Sequence, residues 1–221
     1  AFSNSGLTSF EMPKSVSSVG RYAFQSCSSL TSFTFEAGSA LAAISDFAFS
    51  NSGLTSFEMP KSVSSVGRYA FQSCSSLTSF TFEAGSALAA ISDFAFSNSG
   101  LTSFEMPKSV SSIGSQAFYQ CSGLTSVIFE SPSALTTVGS KAFLAPGLSS
   151  GSITIDENKA SLLRVIGTMM YNASVNGVAF APYGPIDGSG NLMIANTVTS
   201  ISSYAFESCS SLTSFTFEAG S

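Results

Sequence analysis

The chain has 221 residues, a net charge of −5, only 10% charged and 44% hydrophobic residues, with 21 Phe and neither Trp nor His. That is enough apolar side chain for a continuous core and argues against disorder. No Lys/Arg cluster occurs, so a phosphate backbone or an anionic membrane meets no complementary surface, and nucleic acid is excluded as a partner.

Residues 1–47 and 48–94 are identical letter for letter, and a third copy from Ala95 drifts. The first 17 residues of the block's second half return at 205–221 with one change. Repeats of this length mark chains built by stacking one small unit, which predicts a single elongated solenoid over 1–221. Regular repeats are expected over 1–143, an irregular insertion over about 156–191, and the regular unit again over 192–221. The chain opens in mid-repeat without an initiator Met or signal-peptide pattern, which predicts a piece of a larger or processed protein.

Each 47-residue block divides in two, because Ala-Phe pairs begin at Ala1, Ala23, Ala48, Ala70, Ala95, Ala117 and Ala142, in alternating steps of 22 and 25. Each unit contains L-T-S-[FV]-x-[FMI], from Leu7, Phe10 and Met12 to Leu124, Val127 and Phe129. Two apolar residues two apart predict a strand with one buried face. Pro or Gly with Ser then signals a turn. The following V-x-x-[VI]-G or L-x-x-I-S and the Ala-Phe pair predict a short helical or 3₁₀ return segment. Stacked units bury what one alone cannot, so Phe2, Phe24, Phe49, Phe71, Phe96, Phe118, Phe143 and Phe206 are expected to form an aromatic spine.

The residues flanking the buried strand positions are expected to face solvent. They are Ser9 and Glu11; Ser32, Thr34 and Glu36; Ser56 and Glu58; Ser79, Thr81 and Glu83; Ser103 and Glu105; and Ser126, Ile128 and Glu130. All but Ile128 are candidate binding residues, forming an acidic, hydroxyl-rich stripe. Lys14, Arg21, Lys61, Arg68 and Lys108 fall in turns and return segments, which predicts a comparatively basic outer side. The stripe is either a shallow polar groove for a protein or glycan or ordinary solvation of a repeated surface. It offers no aromatic anchors, so single contacts should be weak.

From Leu144 the period fails, although Ile153 and Ile155 keep a strand pattern and Leu192 restarts the unit. The stretch between them is expected to carry one or two hairpins, and is either a contact site or a tolerated decoration.

Little else carries chemistry. Cys27, Cys74 and Cys121 are 47 residues apart, hence two coils and roughly 10 Å, beyond disulfide reach; with Cys209 they read as small buried hydrophobes. Without His there is no Ser-His-Asp or Cys-His catalysis and no common zinc set. Asp156-Glu157 reads as a solvated turn, and 187–191 lacks most ligands of a calcium loop. Asn172-Ala173-Ser174 is a glycosylation sequon, meaningful in a secreted eukaryotic chain. No catalytic residue, metal site or cofactor is expected.

The segment Leu101–Cys121, LTSFEMPKSVSSIGSQAFYQC, resembles the BspA-like class of leucine-rich repeats, with the Pro, Ser-Val, Gly, Ala-Phe and Cys all in place. The resemblance covers nearly the whole chain. It implies an α/β right-handed solenoid with a parallel sheet on its inner face, and hairpin insertions like the one expected before Asn196. It also implies secreted or cell-surface proteins that bind other proteins or cells and have no enzymatic activity. The leading expectation is therefore a non-enzymatic adhesion or protein-binding module, with a protein or glycan on a surface as its partner. A second is a subunit of an extracellular filament or coat, with copies of the chain stacked end to end. A third, weaker one is ice binding through Thr and Ser ladders made by the repeated Leu-Thr-Ser.

Overall fold

The stacking predicted from the repeats is present in a computed structural model of the protein as six successive coils. The structure describes residues 2–148 and, beyond them, 153–154, 163–166, 169–172, 177–180, 191–194, 200–201 and 214–217. Each coil contributes a four-residue and a two-residue strand. In chain order these are β1 (Ser9–Met12) and β2 (Ser18–Val19), β3 (Ser32–Phe35) and β4 (Ala43–Ile44), and β5 (Ser56–Met59) and β6 (Ser65–Val66). Then follow β7 (Ser79–Phe82) and β8 (Ala90–Ile91), β9 (Ser103–Met106) and β10 (Ser112–Ile113), and β11 (Ser126–Phe129) and β12 (Thr137–Val138).

The four-residue strands form where period-two patterning predicts them. In β5, Phe57 and Met59 point into the core while Ser56 and Glu58 face solvent. β1 pairs in parallel with β3, β5 with β7, and β9 with β11, which also pairs with β13 (Ile153–Thr154). Paired four-residue strands of the regular coils lie 23 residues apart, as in Ser9 opposite Ser32. Across a block junction the step is 24, from Ser32 to Ser56, and no ladder forms. The junction is bridged instead where the Thr55 N–H donates to the Thr31 carbonyl at 3.4 Å, and Thr102 to Thr78 at 3.4 Å. The two-residue strands run without a break as one six-stranded parallel sheet, in the order β12-β10-β8-β6-β4-β2.

The return segments depart from the helical or 3₁₀ expectation: among the described residues they are turns. In five successive return segments two non-glycine residues adopt left-handed φ four positions apart, such as Tyr22 at 60° and Ser26 at 55°. A left-handed residue ends a right-handed helix, so no helical ladder propagates. The freed N–H groups donate sideways to the next coil: Phe24 to the Ala48 carbonyl at 2.7 Å, Phe49 to Ala70 at 2.8 Å, Phe71 to Ala95 at 2.7 Å. Lateral bonding between turns thus replaces intrahelical bonding, and the Ala-Phe segments form a third ladder along the axis.

Two aromatic columns fill the coils. Phe24, Phe49, Phe71, Phe96, Phe118 and Phe143 stack with centroids 5.2–5.3 Å apart. Phe10, Phe33, Phe57, Phe80 and Phe104 form a second column at 5.4–5.8 Å, meeting the first edge to face. The wider gaps in this column, 5.8 and 5.7 Å, fall at the block junctions where the strand ladder is interrupted. Phe2 continues the first column but is 43% exposed, because it has a ring neighbour on one side only. Phe206 lies outside the described residues.

Cys27, Cys74 and Cys121 are buried and unpaired. Each thiol donates to a carbonyl of the neighbouring coil, that of Phe2, Phe49 or Phe96, at 3.0–3.1 Å. Ser5, Ser52 and Ser99 place a hydroxyl oxygen within 3.3–3.4 Å of the same sulfurs. Burial pushes the Cys74 thiol up to about 11 and raises that of Cys121, which keeps both protonated at neutral pH. Cys209, Asp156-Glu157 and 187–190 lie outside the described residues.

Beyond the regular coils, β14 (Leu163–Ile166), β15 (Met169–Asn172) and β16 (Gly177–Phe180) are antiparallel neighbours. Parallel pairing returns with β17 (Asn191–Ile194), β18 (Ser200–Ile201) and β19 (Ser214–Phe217): β16 pairs with β18 and β17 with β19. Asn172 stands opposite Leu163 in β15, and its sequon partners Ala173 and Ser174 lie outside the described residues.

Candidate binding face

The outward side chains of the four-residue strands make one repeated face. Register places Ser9 beside Ser32, Ser56 beside Ser79 and Ser103 beside Ser126. Two residues on, Glu11 stands beside Thr34, Glu58 beside Thr81 and Glu105 beside Ile128. These residues are exposed, apart from the partly covered Ser126. Acid and neutral side chains therefore alternate from strand to strand, and Ile128 adds an apolar spot, 43% exposed.

The six glutamates expected on this face form two sets. Glu11, Glu58 and Glu105 project from strands. Glu36, Glu83 and Glu130 lie just past the strands, where each carboxylate accepts the backbone N–H of Lys14, Lys61 or Lys108 at 3.0–3.2 Å. These three glutamates tie adjacent turns together, a bond between residues 22 apart that only coil stacking brings about.

A threonine ladder borders the face. Thr31, Thr55, Thr78, Thr102 and Thr125 each donate a hydroxyl to the preceding ladder carbonyl, that of Thr8, Thr31, Thr55, Thr78 or Thr102, at 3.2–3.4 Å. The bond fixes the rotamer and leaves the oxygen lone pairs free to accept from a partner. At one block junction the face deepens into an open depression of about 400 Å³, lined by Thr78, Ser79, Thr81, Thr102, Ser103, Glu105 and Glu130 with Phe80 and Phe82.

On the outer side, aspartates stand among the cations expected there. Arg21, Asp46, Arg68 and Asp93 follow one another coil by coil, and Arg68 pairs with Asp93 at 3.5 Å. Beside them runs an aromatic stripe that the sequence analysis missed: Tyr22, Phe47, Tyr69 and Phe94 stack at 4.6–5.1 Å. Tyr22 is 37% exposed and the other three are partly so. The Arg21 guanidinium lies 4.7 Å from the Tyr22 ring centre, and that of Arg68 5.8 Å from Tyr69. The legible signal was an aromatic residue after Arg or Asp, directly before the Ala-Phe pairs at Ala23, Ala48, Ala70 and Ala95.

Among the described residues no helix is long and apolar enough to cross a membrane. No curated protein sequence matches the chain. The structure is similar to that of the pneumococcal vaccine antigen PcpA, at 25% identity and a TM-score of 0.63, over 95% of this chain and 45% of that one. A leucine-rich cell surface protein of Faecalibacterium prausnitzii matches in fold at 23% identity and TM-score 0.51, over 95% of this chain and 56% of that one. A leucine-rich repeat protein of Eubacterium ventriosum does so at 20% and 0.63, over 85% and 50%. The chain thus spans about half the length of these proteins. The family model for the BspA type leucine-rich repeat region matches six copies, at residues 1–88, 42–174 and 188–221. With the parallel coils and the Ala-Phe and Cys positions already described, this makes the chain a member of the BspA-type leucine-rich repeat family.

Proposed function

We propose that the chain is a non-enzymatic binding module of a bacterial surface protein, engaging a partner protein through the long-strand face. The observation that supports this is the recurrence of one outward pattern: Glu11, Glu58 and Glu105 at every second strand, flanked by serines and a threonine ladder with fixed rotamers. No cation stands on the six four-residue strands of the regular coils, so the face favours a basic partner surface. Individual contacts are exposed and weak, and repetition along the axis lets them add through avidity.

The test is capture of purified extracellular matrix and serum proteins, and in parallel of a glycan array, by the immobilised 221-residue chain and by a Glu11→Lys/Glu58→Lys/Glu105→Lys variant. A protein captured by the chain and lost by the variant supports the proposal. Capture that the variant retains, or capture of glycans alone, refutes it.

A further inference from the structure

The aromatic stripe on the return segments is not demanded by the coil that carries it. Tyr22, Phe47, Tyr69 and Phe94 hold φ of 57–60°, a region that disfavours bulky side chains. The same backbone position is filled at 57° by Gln116 and Lys141 in the next two coils, so the turn forms without an aromatic ring. At the sister left-handed position the chain uses only polar residues, Asn4, Ser26, Asn51, Ser73, Asn98 and Gln120. Four rings are therefore held partly exposed, in strained positions, where a polar residue serves the fold.

The charges beside the rings say what the stripe fits. Read along the axis, Arg21, Asp46, Arg68 and Asp93 alternate plus, minus, plus, minus. All four are at least partly exposed, and the one ion pair among them, Arg68 with Asp93, lies at the surface with side chains 54% and 38% exposed. Read in the opposite direction the series is minus, plus, minus, plus, the complement of itself.

We propose that this stripe is a self-recognition surface on which a second copy of the chain docks side by side and antiparallel. The two-fold axis passes between the coils of Asp46 and Arg68. Arg21 of one copy then faces Asp93 of the other, and Asp46 faces Arg68, with each relation repeated by symmetry. The rings follow the same rule, Tyr22 against Phe94 and Phe47 against Tyr69. A shift of one coil sets like charges against each other, and a shift of two keeps only two of the four opposite pairs, so the full register is favoured. A face-to-face pairing with parallel axes reverses the lateral order of the two columns and sets charges against rings. The contact spans four coils, roughly 15 Å at ordinary strand spacing, so pairing is weak and salt-sensitive.

Sedimentation equilibrium of the 221-residue chain from micromolar to millimolar concentration tests this. The expected result is a reversible dimer that weakens with salt. Arg21→Asp/Arg68→Asp makes the column uniformly acidic and should raise the dissociation constant at least about tenfold. An Asp46→Arg/Asp93→Arg chain should do the same, and an equimolar mixture of the two variants should recover a one-to-one dimer. The aspartates also accept the Arg68 and Ser115 N–H groups at 2.8 Å, so the arginine double variant, which breaks no such bond, decides on its own if the other is poorly folded. Tyr69→Gln, which copies Gln116, should weaken pairing severalfold with the charges intact. A wild-type chain that stays monomeric throughout overturns the proposal, as does a dimer insensitive to the arginine reversal. A mixture of two folded double variants that remains monomeric overturns it too.

Discussion

In the 221-residue chain, truncation of Phe49 and of Phe2 to Ala compares one side chain in one local sequence stacked on both sides and on one side only. Both residues sit in AFSNSGLTSFEM, so the unfolded-chain contribution is the same at the two sites. Phe49 is 0% exposed, stacks on Phe24 and Phe71 at 5.3 and 5.2 Å, and meets Phe33 and Phe57 edge to face at 4.9 and 5.3 Å. Removing it forfeits the burial, four ring contacts and the packing around the cavity left behind, about 4 kcal/mol. Phe2 is 43% exposed and touches only Phe24 and Phe10, at 5.2 and 5.1 Å. Its loss should cost about 1 kcal/mol. With a urea m-value of about 2 kcal/mol/M, the midpoint should fall by about 2 M for Phe49→Ala and about 0.5 M for Phe2→Ala. Urea titration followed by circular dichroism reads both. Equal shifts, or a Phe49→Ala cost under about 1.5 kcal/mol, would refute the continuous spine as the main source of stability.

Two further predictions follow from close approach and from burial. A Cβ on Gly100 would fall 2.2 Å from the Ser75 carbonyl oxygen, whereas one on Gly6, in the same local sequence, meets nothing within 4 Å. Gly100→Ala should therefore cost about 1–3 kcal/mol and Gly6→Ala under about 0.5, as thermal melts would resolve. The Cys74 thiol, raised by burial from 9.0 to about 11, should resist iodoacetamide at pH 8 in the native chain and react once urea unfolds it. Because the folded form holds this proton more tightly, the stabilisation is complete below the unfolded pKa near 9 and is lost as pH rises toward 11. A melting temperature that rises across that window would contradict the assignment.

The strands and core were legible because they depend on local periodicity. Phe57 and Met59 are two apart, and two-apart residues share a strand face whatever surrounds them. The return segments were not legible because their conformation is settled between coils. V-x-x-V-G-x-x-A-F has the spacing of a short helix, yet the Phe24 N–H goes to Ala48, 24 residues on, and Tyr22 turns left-handed. Nothing in Tyr or Phe announces a left-handed backbone. Glu36 shows the same limit on the candidate face. In F-T-F-E it continues the strand pattern, but its carboxylate reaches the Lys14 N–H in the neighbouring coil and so belongs to the scaffold. Sequence pattern alone did not separate it from Glu11.

The third copy acts as an internal comparison of what a coil must keep. Gly67 recurs as Gly114, each where a Cβ would meet backbone at 2.6 Å or closer. Ala70 and Phe71 recur as Ala117 and Phe118, fully buried. On the outside, Arg68 gives way to Ser115, Tyr69 to Gln116 and Thr81 to Ile128 while the coil persists. The inward residues and the glycines are therefore what stacking requires, and the outward ones are free of it. Within that free set the two surfaces behave differently. Glu11, Glu58 and Glu105 run through all three copies, but the charged aromatic stripe stops after Phe94. A face that continues through every copy suits a partner engaged along the whole array. A stripe confined to four coils suits a contact of fixed length, which is what an antiparallel pair closed by a two-fold axis requires.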